Sequence, residues 1–358
     1  MHDQQKKLRV GVLGATGAVG QQFIRLLDGH PWFEVTALAA SERSAGKPYR
    51  EAARWLPSEP VPERVAGLTV ELAQPNLACD FVFSGLDANV AGEIEGAFAA
   101  AGYPVISNAR NYRMEAAVPL LIPEINPDHT ALIDGQEYGA GFIVTNPNCS
   151  TVGLAMALGP LHARFGVEAV HVVTMQALSG AGYPGVASLD IVGNVVPHIG
   201  GEEEKMRTEP LKILGTLAGG RVEPAAFEVS AQCNRVPVLD GHLLCVSARL
   251  GGDPSAEEVA QTLREAPSPL DGMGLPSAPA RWLRVFDEPD APQPRRHVGE
   301  GRGMTVSVGR VQPCGVLGVK FVVLVHNTVR GAAGGAILNA ELLVHQGRLA
   351  ARTSTSDA

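Results

Sequence analysis

The chain predicts an α/β fold in two parts: a doubly wound parallel sheet first, then an α+β part on a mostly antiparallel sheet. Three observations carry that expectation. At 358 residues the chain is longer than one core usually supports. Up to Thr145, short β-branched runs alternate with helical patterns, as parallel strands joined by crossover helices do. Beyond Phe165, β-branched strands recur with turns between them.

Composition narrows the function classes. Hydrophobic residues make up 45% and charged residues 18%, ordinary for a globular enzyme. A net charge of −8 with no basic stripe argues against a nucleic-acid partner. No apolar leader core follows Met1-His2-Asp3-Gln4-Gln5-Lys6-Lys7, and no run approaches the roughly 20 residues that span a bilayer. Neither secretion nor a membrane partner is expected. Cys79, Cys149, Cys233, Cys245 and Cys314 are scattered and form no Cys-x-x-Cys pair, so neither a metal site nor a disulfide framework is expected, and a reducing, cytoplasmic setting fits.

The first strand, Leu8-Arg9-Val10-Gly11-Val12-Leu13, meets Gly14-Ala15-Thr16-Gly17-Ala18-Val19-Gly20, and helical spacing follows through Phe23, Leu26 and Leu27. A glycine turn between strand and helix lets the backbone approach a pyrophosphate at a helix N-terminus, which makes this part a Rossmann-type dinucleotide-binding domain. After the second strand, Glu34–Ala40, an NAD site usually places an acidic residue. Here Ser41-Glu42-Arg43-Ser44-Ala45-Gly46-Lys47 supplies hydroxyls and cations that suit a 2′-phosphate, hence NADP, or else form a solvated loop. Further strands read at 68–70, 80–84, 104–107 and 142–144, with an alanine-rich helix over 88–101. Ser84 and Ser107 sit at strand ends, the ligand side of such a sheet. Arg110 and Arg113 follow; either is a clamp for an anion or a surface ion-pair partner.

The chain turns on Thr145-Asn146-Pro147-Asn148-Cys149-Ser150-Thr151. An apolar strand stops at a polar turn and a helical pattern begins, which puts Cys149 on a helix's first turn. Unpaired N–H groups there favour a thiolate, the nucleophile of covalent acyl catalysis. A buried structural cysteine is the plain alternative, but polar and turn residues pack poorly around a core thiol.

A β-branched strand, Val167–Thr174, delivers Gln176 and then a glycine-rich loop, Ser179-Gly180-Ala181-Gly182-Tyr183-Pro184-Gly185. Gln176 either orients a substrate or is an edge-strand amide. Gly200-Gly201-Glu202-Glu203-Glu204-Lys205 opens a helix, and Glu202 and Lys205 share a face. Residues 228–238 and 239–248 read as a hairpin around Asp240-Gly241, with Arg235 and His242 near one end of the ribbon. His242 is a candidate acid/base or a satisfied polar residue. Pro267–Pro294 reads as loop, strands recur within 305–324, and 326–336 begins a small-residue helix expected to pack on the first domain and line the cofactor cleft. Residues 351–358 read as frayed.

Together the motifs at 40–47, 146–151, 179–183, 201–205, 234–238 and 327–334 resemble the aspartate-β-semialdehyde dehydrogenase family, archaeal and fungal branch, over nearly the whole chain. The resemblance implies an NADP-binding domain over 1–148, a catalytic and dimerisation domain over 149–326, and a C-terminal helix over 327–358 returning to the first. It implies NADPH-dependent reduction of L-aspartyl-4-phosphate to L-aspartate-4-semialdehyde and phosphate, feeding lysine, threonine and methionine synthesis, by a homodimer or homotetramer. Cys149 then looks like the acyl-forming thiol, His242 the acid/base and Gln176 the orienter of the acyl group. Arg235 would take the substrate carboxylate, Glu202 its ammonium, Arg113 and Lys205 its phosphate, with Asn148 beside the thiol. Gly14, Thr16, Gly17, Ala18, Val19, Ser41, Arg43, Ser44, Ser84, Ser179, Gly180 and Asn327 look like cofactor contacts. After His242 the family commonly has small polar and acidic residues, and this chain has Leu243-Leu244-Cys245. Malonyl-CoA reductase, with the same thioester logic, and a non-catalytic NADP-binding sensor are the alternatives.

Overall fold

The computed structural model describes residues 6–352, so the fraying expected of 351–358 falls almost wholly outside it. Among the described residues no helix is long and apolar enough to cross a membrane. Two compact units form: one runs to Pro119 and adds Thr130–Asn146 and the chain from Ala336 on; the other comprises Leu120–His129 and Pro147–Gly335. The units divide after Asn146, and 120–129 and 327–335 group with the second unit. Leu120 and Ile122 are fully buried in the second unit's core, which accounts for the early excursion.

The first unit contains β1 (Leu8–Leu13), α1 (Ala18–Leu27), β2 (Phe33–Ala40), β3 (Val70–Leu72), β4 (Phe81–Ser84), α2 (Ala88–Ala100), β5 (Pro104–Ser107) and β6 (Phe142–Thr145). The strands lie in the order β3-β2-β1-β4-β5-β6, and every pairing is parallel. Val10, Val12, Phe81, Phe83, Val105 and Ile106 are fully buried, as expected for a sheet covered on both faces. The order reverses between β1 and β4, the place where ligands bind at strand C-termini. Two glycines allow the close approach there. Gly14 has φ +74°, and a Cβ on it would lie 2.7 Å from the Gly85 carbonyl oxygen. A Cβ on Gly20 would lie 2.2 Å from the Gly14 oxygen, so α1 could not pack onto β1.

The second unit contains α3 (Cys149–Phe165), β7 (Val167–Gln176), α4 (Glu202–Ile213), a small ribbon of β8 (Thr216–Ala218) and β9 (Arg221–Glu223), β10 (Glu228–Arg235), β11 (His242–Leu250), α5 (Ala256–Glu265), β12 (Leu283–Phe286), β13 (Val306–Cys314) and β14 (Gly318–Val325). The large sheet has the order β10-β7-β11-β14-β13-β12, with three antiparallel and two parallel pairings. From Ser150 to Leu158 every residue of α3 is buried, so this helix is the unit's core element.

Two expectations are corrected. Strands β10 and β11 do not form a hairpin, because β7 lies between them, parallel to β10 and antiparallel to β11. Pro237 cannot donate to a ladder, and the connection instead arches over the end of β7, where the Val236 N–H bonds the Gln176 carbonyl (3.0 Å). Within the stretch read as loop, Leu283–Phe286 forms β12, parallel to β13. A final helix, α6 (Gly334–His345), follows a turn of π-helix at Val329–Ala333. From Ala336 on, its residues belong to the first unit.

Candidate active site

Cys149 is the first residue of α3. Asn148 caps that helix: its Oδ1 accepts from the N–H groups of Ser150 (3.0 Å) and Thr151 (3.3 Å). The Asn148 side-chain amide donates to both oxygens of Glu202, at 3.0 and 2.9 Å. Its main-chain N–H donates to Glu209 Oε2 at 2.7 Å. Asn148, before the thiol, is therefore tied through both ends of its side-chain amide and through its main-chain N–H, and the helix start favours negative charge at the sulfur's position.

His242 Nε2 lies 3.2 Å from Cys149 Sγ. The other ring nitrogen, Nδ1, accepts the Ala177 N–H at 3.0 Å. A nitrogen that accepts carries no proton, so the neutral ring holds its proton on Nε2, facing the sulfur. Full burial, aided by the nearby Arg235 charge, lowers the His242 pKa to about 3. At neutral pH this imidazole is a donor to sulfur.

Arg235 and Gln176 are direct partners across β10 and β7, and Leu243, next to His242, pairs with Met175. Three adjacent strand ends thus bring Arg235, Gln176 and His242 together, although the ribbon is not the expected hairpin. Arg235 is 6% exposed; its Nη1 donates to the Ala177 carbonyl (2.7 Å), and burial lowers its pKa against the pull of Cys149 and Glu202. Gln176 Nε2 donates to Glu202 Oε2 at 3.2 Å and Lys205 Nζ to Glu202 Oε1 at 2.6 Å. Burial pushes the Glu202 pKa up, but Lys205 and the amides of Asn148 and Gln176 outweigh it, and the net shift is down. Glu202 stays ionised, an acceptor for an ammonium group.

Asn327 Nδ2 donates to Ser179 Oγ (2.8 Å), and its Oδ1 accepts the Gly241 N–H (2.9 Å), so it pins the glycine-rich loop to the residue before His242. Gly180 sits against the His242 ring and the Arg235 guanidinium.

The remaining predicted residues lie in the first unit. Gly14 and Thr16 form the turn after β1, Gly17 flanks α1 and Ala18 and Val19 open it; no side chain caps that helix, which leaves its first N–H groups to an anion. Ser41 and Arg43 are exposed after β2, while Ser44 is buried with its N–H on the Ser41 carbonyl (2.9 Å). Lys47 Nζ is turned onto the Arg43 carbonyl (3.0 Å). Ser84 is fully buried, with its hydroxyl toward Glu95. Arg113 is 7% exposed and donates to the Asn108 carbonyl (2.8 Å), whereas Arg110 is exposed.

Three contributors escaped the sequence reading. The Ala177 N–H is a main-chain group that no residue type advertises. Glu209 had a signal: Glu202, Met206, Glu209 and Ile213 form one buried stripe of α4, and a carboxylate inside such a stripe needs a partner. Gly331 lies against Cys149, where a Cβ would come 2.9 Å from the Cys149 Cα.

A doubly wound sheet with a glycine turn, and a second unit with a thiol–imidazole pair, define a dinucleotide-linked oxidoreductase. Comparison narrows the class. Residues 9–133 match the family described as semialdehyde dehydrogenase, NAD binding domain, and residues 158–330 match its dimerisation domain. The chain is 50% identical over 341 residues to the aspartate-semialdehyde dehydrogenase of Archaeoglobus fulgidus, covering 94% of this chain and 98% of that one. It is 48% identical over 353 residues to that of Schizosaccharomyces pombe, covering 95% and 98%. The crystal structure of the Candida albicans enzyme with NADP superposes with a TM-score of 0.88 at 47% identity, covering 95% of this chain and 99% of that one. The chain belongs to the aspartate-semialdehyde dehydrogenase family.

Proposed function

We propose that this chain converts L-aspartyl-4-phosphate to L-aspartate-4-semialdehyde and phosphate with NADPH, through a thioester on Cys149. The observation that carries the reading is the Cys149 Sγ to His242 Nε2 contact of 3.2 Å at the start of a buried helix. Sulfur attacks the acyl carbon, a C–S bond forms, the C–O bond to phosphate breaks, and the proton consumed overall ends on the departing phosphate. The His242 Nε2–H is the donor available to the carbonyl oxygen as charge develops there. Glu202 receives the substrate ammonium, Arg235 its α-carboxylate, and Lys205 and Arg113 its phosphate; Gln176 orients the acyl group. NADPH, when bound, supplies the hydride that releases the aldehyde and regenerates the thiolate.

The uncapped start of α1 and the glycines at the β1–β4 switch fit a pyrophosphate, and the exposed Ser41 and Arg43 fit a 2′-phosphate. Gly14, Thr16, Gly17, Ala18, Val19, Ser44, Ser84, Ser179, Gly180 and Asn327 complete the proposed cofactor set; Ser84 serves through its main chain, given where its hydroxyl points. The dimerisation-domain match supports a homo-oligomer; the proposed assembly is a dimer or tetramer, and the scattered cysteines fit a reducing, cytoplasmic setting. The proposed domain roles are NADP binding by the first unit and catalysis and dimerisation by the second.

The test runs the reaction backwards. Aspartate-4-semialdehyde, phosphate and NADP⁺ should yield NADPH absorbance that disappears in C149A. Turnover that needs CoA and malonate semialdehyde in place of phosphate, or that survives C149A, overturns the reading.

A further inference from the structure

Two carboxylates on one helix hold the residue before the nucleophile. Glu202 and Glu209 stand seven apart on α4, two turns along one face, and are 7% and 2% exposed. Glu202 takes the Asn148 side chain through both its oxygens; Glu209 takes the Asn148 main-chain N–H at 2.7 Å. Between them, Met206 Sδ meets the Thr151 hydroxyl (3.6 Å) on the first turn of α3. The first turn of the thiol-bearing helix is therefore seated on α4 at three successive points.

We propose that Glu209 is a positioning residue for Cys149: by accepting the Asn148 N–H it fixes the turn between β6 and α3 and so sets the thiol's place beside His242. The reason is chemical. A helix cap satisfies the N–H groups that follow it but leaves its own main-chain N–H outside the helix. Buried and without an acceptor, that N–H would drive the turn to another conformation. The sulfur is one residue away and must stay at 3.2 Å from Nε2. A carboxyl oxygen at 2.7 Å is a close acceptor for that N–H. Glu209 acts through Asn148, one residue before the thiol, and is therefore a positioning residue rather than a catalytic one.

The proposal rests on the acyl-enzyme reading for its kinetic consequence, but not for its geometric one. In E209L the bond is lost; in E209Q the amide oxygen can still accept it. The wild type and both variants are assayed for kcat and KM and are labelled with iodoacetamide, each cysteine being followed by mass spectrometry. E209L should lose kcat on the order of 100-fold with KM within about threefold, because a displaced nucleophile costs the chemical step rather than binding. Alkylation of Cys149 should slow by about tenfold while Cys314, at the β13–β14 turn, labels as before and reports an intact fold. E209Q should stay within about fivefold of the wild type in both readouts. E209S, with a side chain too short to reach, carries the same comparison should E209L not fold. The proposal is overturned if kcat and Cys149 labelling of E209L both stay within about twofold of wild type, or if E209Q is as damaged as E209L. Should the wild type lack phosphate-dependent turnover, the acyl-phosphate reading fails, while the labelling comparison still decides the role of Glu209.

Discussion

His242 has one ring proton and two neighbours, and the Ala177 N–H decides where that proton sits. Because Nδ1 must accept, Nε2–H points at Cys149. A doubly protonated ring would set two N–H groups against each other at 3.0 Å, which agrees with a pKa lowered to about 3. The unfolded chain recovers the ordinary value near 6.5, so between pH 6.5 and about 3 it binds one more proton than the folded chain. Stability from the neutral ring is complete above pH 6.5 and falls as pH drops through this window, by at most about 1.4 kcal/mol per unit. Urea midpoints of wild type and H242N at pH 7 and pH 5 check this: the wild type should lose more on acidification, and equal losses would refute it. The same variant should lower kcat by about 10²- to 10⁴-fold. Cys149, His242 and Arg235 were legible because thiols, imidazoles and guanidinium groups at strand ends and turns point to chemistry. The Ala177 lock was not, since it exists only once β7 and β11 are paired.

Among the elements, the junction between α3 and the Val329–Ala333 turn is tightly confined. A Cβ on Gly331 would come 2.8 Å from the Cys149 Cβ and 3.1 Å from its carbonyl oxygen. Backbone cannot swing aside as a side chain does, so G331A should shift the start of α3 and lower kcat on the order of 100-fold. G135A, where nothing lies within 4 Å, is the control; equal kcat in the two would refute the claim. The same turn is anchored by Arg330, fully buried, whose Nη2 meets Glu124 Oε2 at 2.5 Å. Removing one member strands a buried charge, so E124A should cost about 3–5 kcal/mol, measured by urea unfolding, and E124L/R330M together clearly less than either alone. A double variant no better than the singles would show that the pair itself stabilises. Strand and helix periods foretold most elements here. The hairpin failed because adjacency in sequence says nothing of a third strand inserted between two others. The four-residue β12 failed because so short an edge strand, set among prolines, leaves no period to read.

For the whole molecule, the apolar run after His242 has a structural cause. Along β11 the side chains alternate: Leu244, Val246 and Ala248 are buried toward the core, while Leu243, Cys245, Ser247 and Arg249 take the opposite face and are half-buried or exposed. Leu243-Leu244-Cys245 therefore leads away from the thiol and belongs to the sheet. On that outer face Cys245 is flanked by Val173 and Val322 across the ladder, an apolar strip on a sheet whose other face carries the core. No feature of the sequence separates a core strand from one that also serves a second chain, because both read as β-branched. Such a strip in a unit that matches a dimerisation domain fits a closed, two-fold contact, where the same strip meets its own copy. A lysine at the centre of a self-matching patch places two like charges face to face and desolvates both. V322K should therefore move the protein from assembled to single chains in sedimentation velocity. Cys149 labelling should persist, since both members of the thiol–imidazole pair come from one chain. A wild type that sediments as a single chain, or a V322K that remains fully assembled, would place the contact elsewhere.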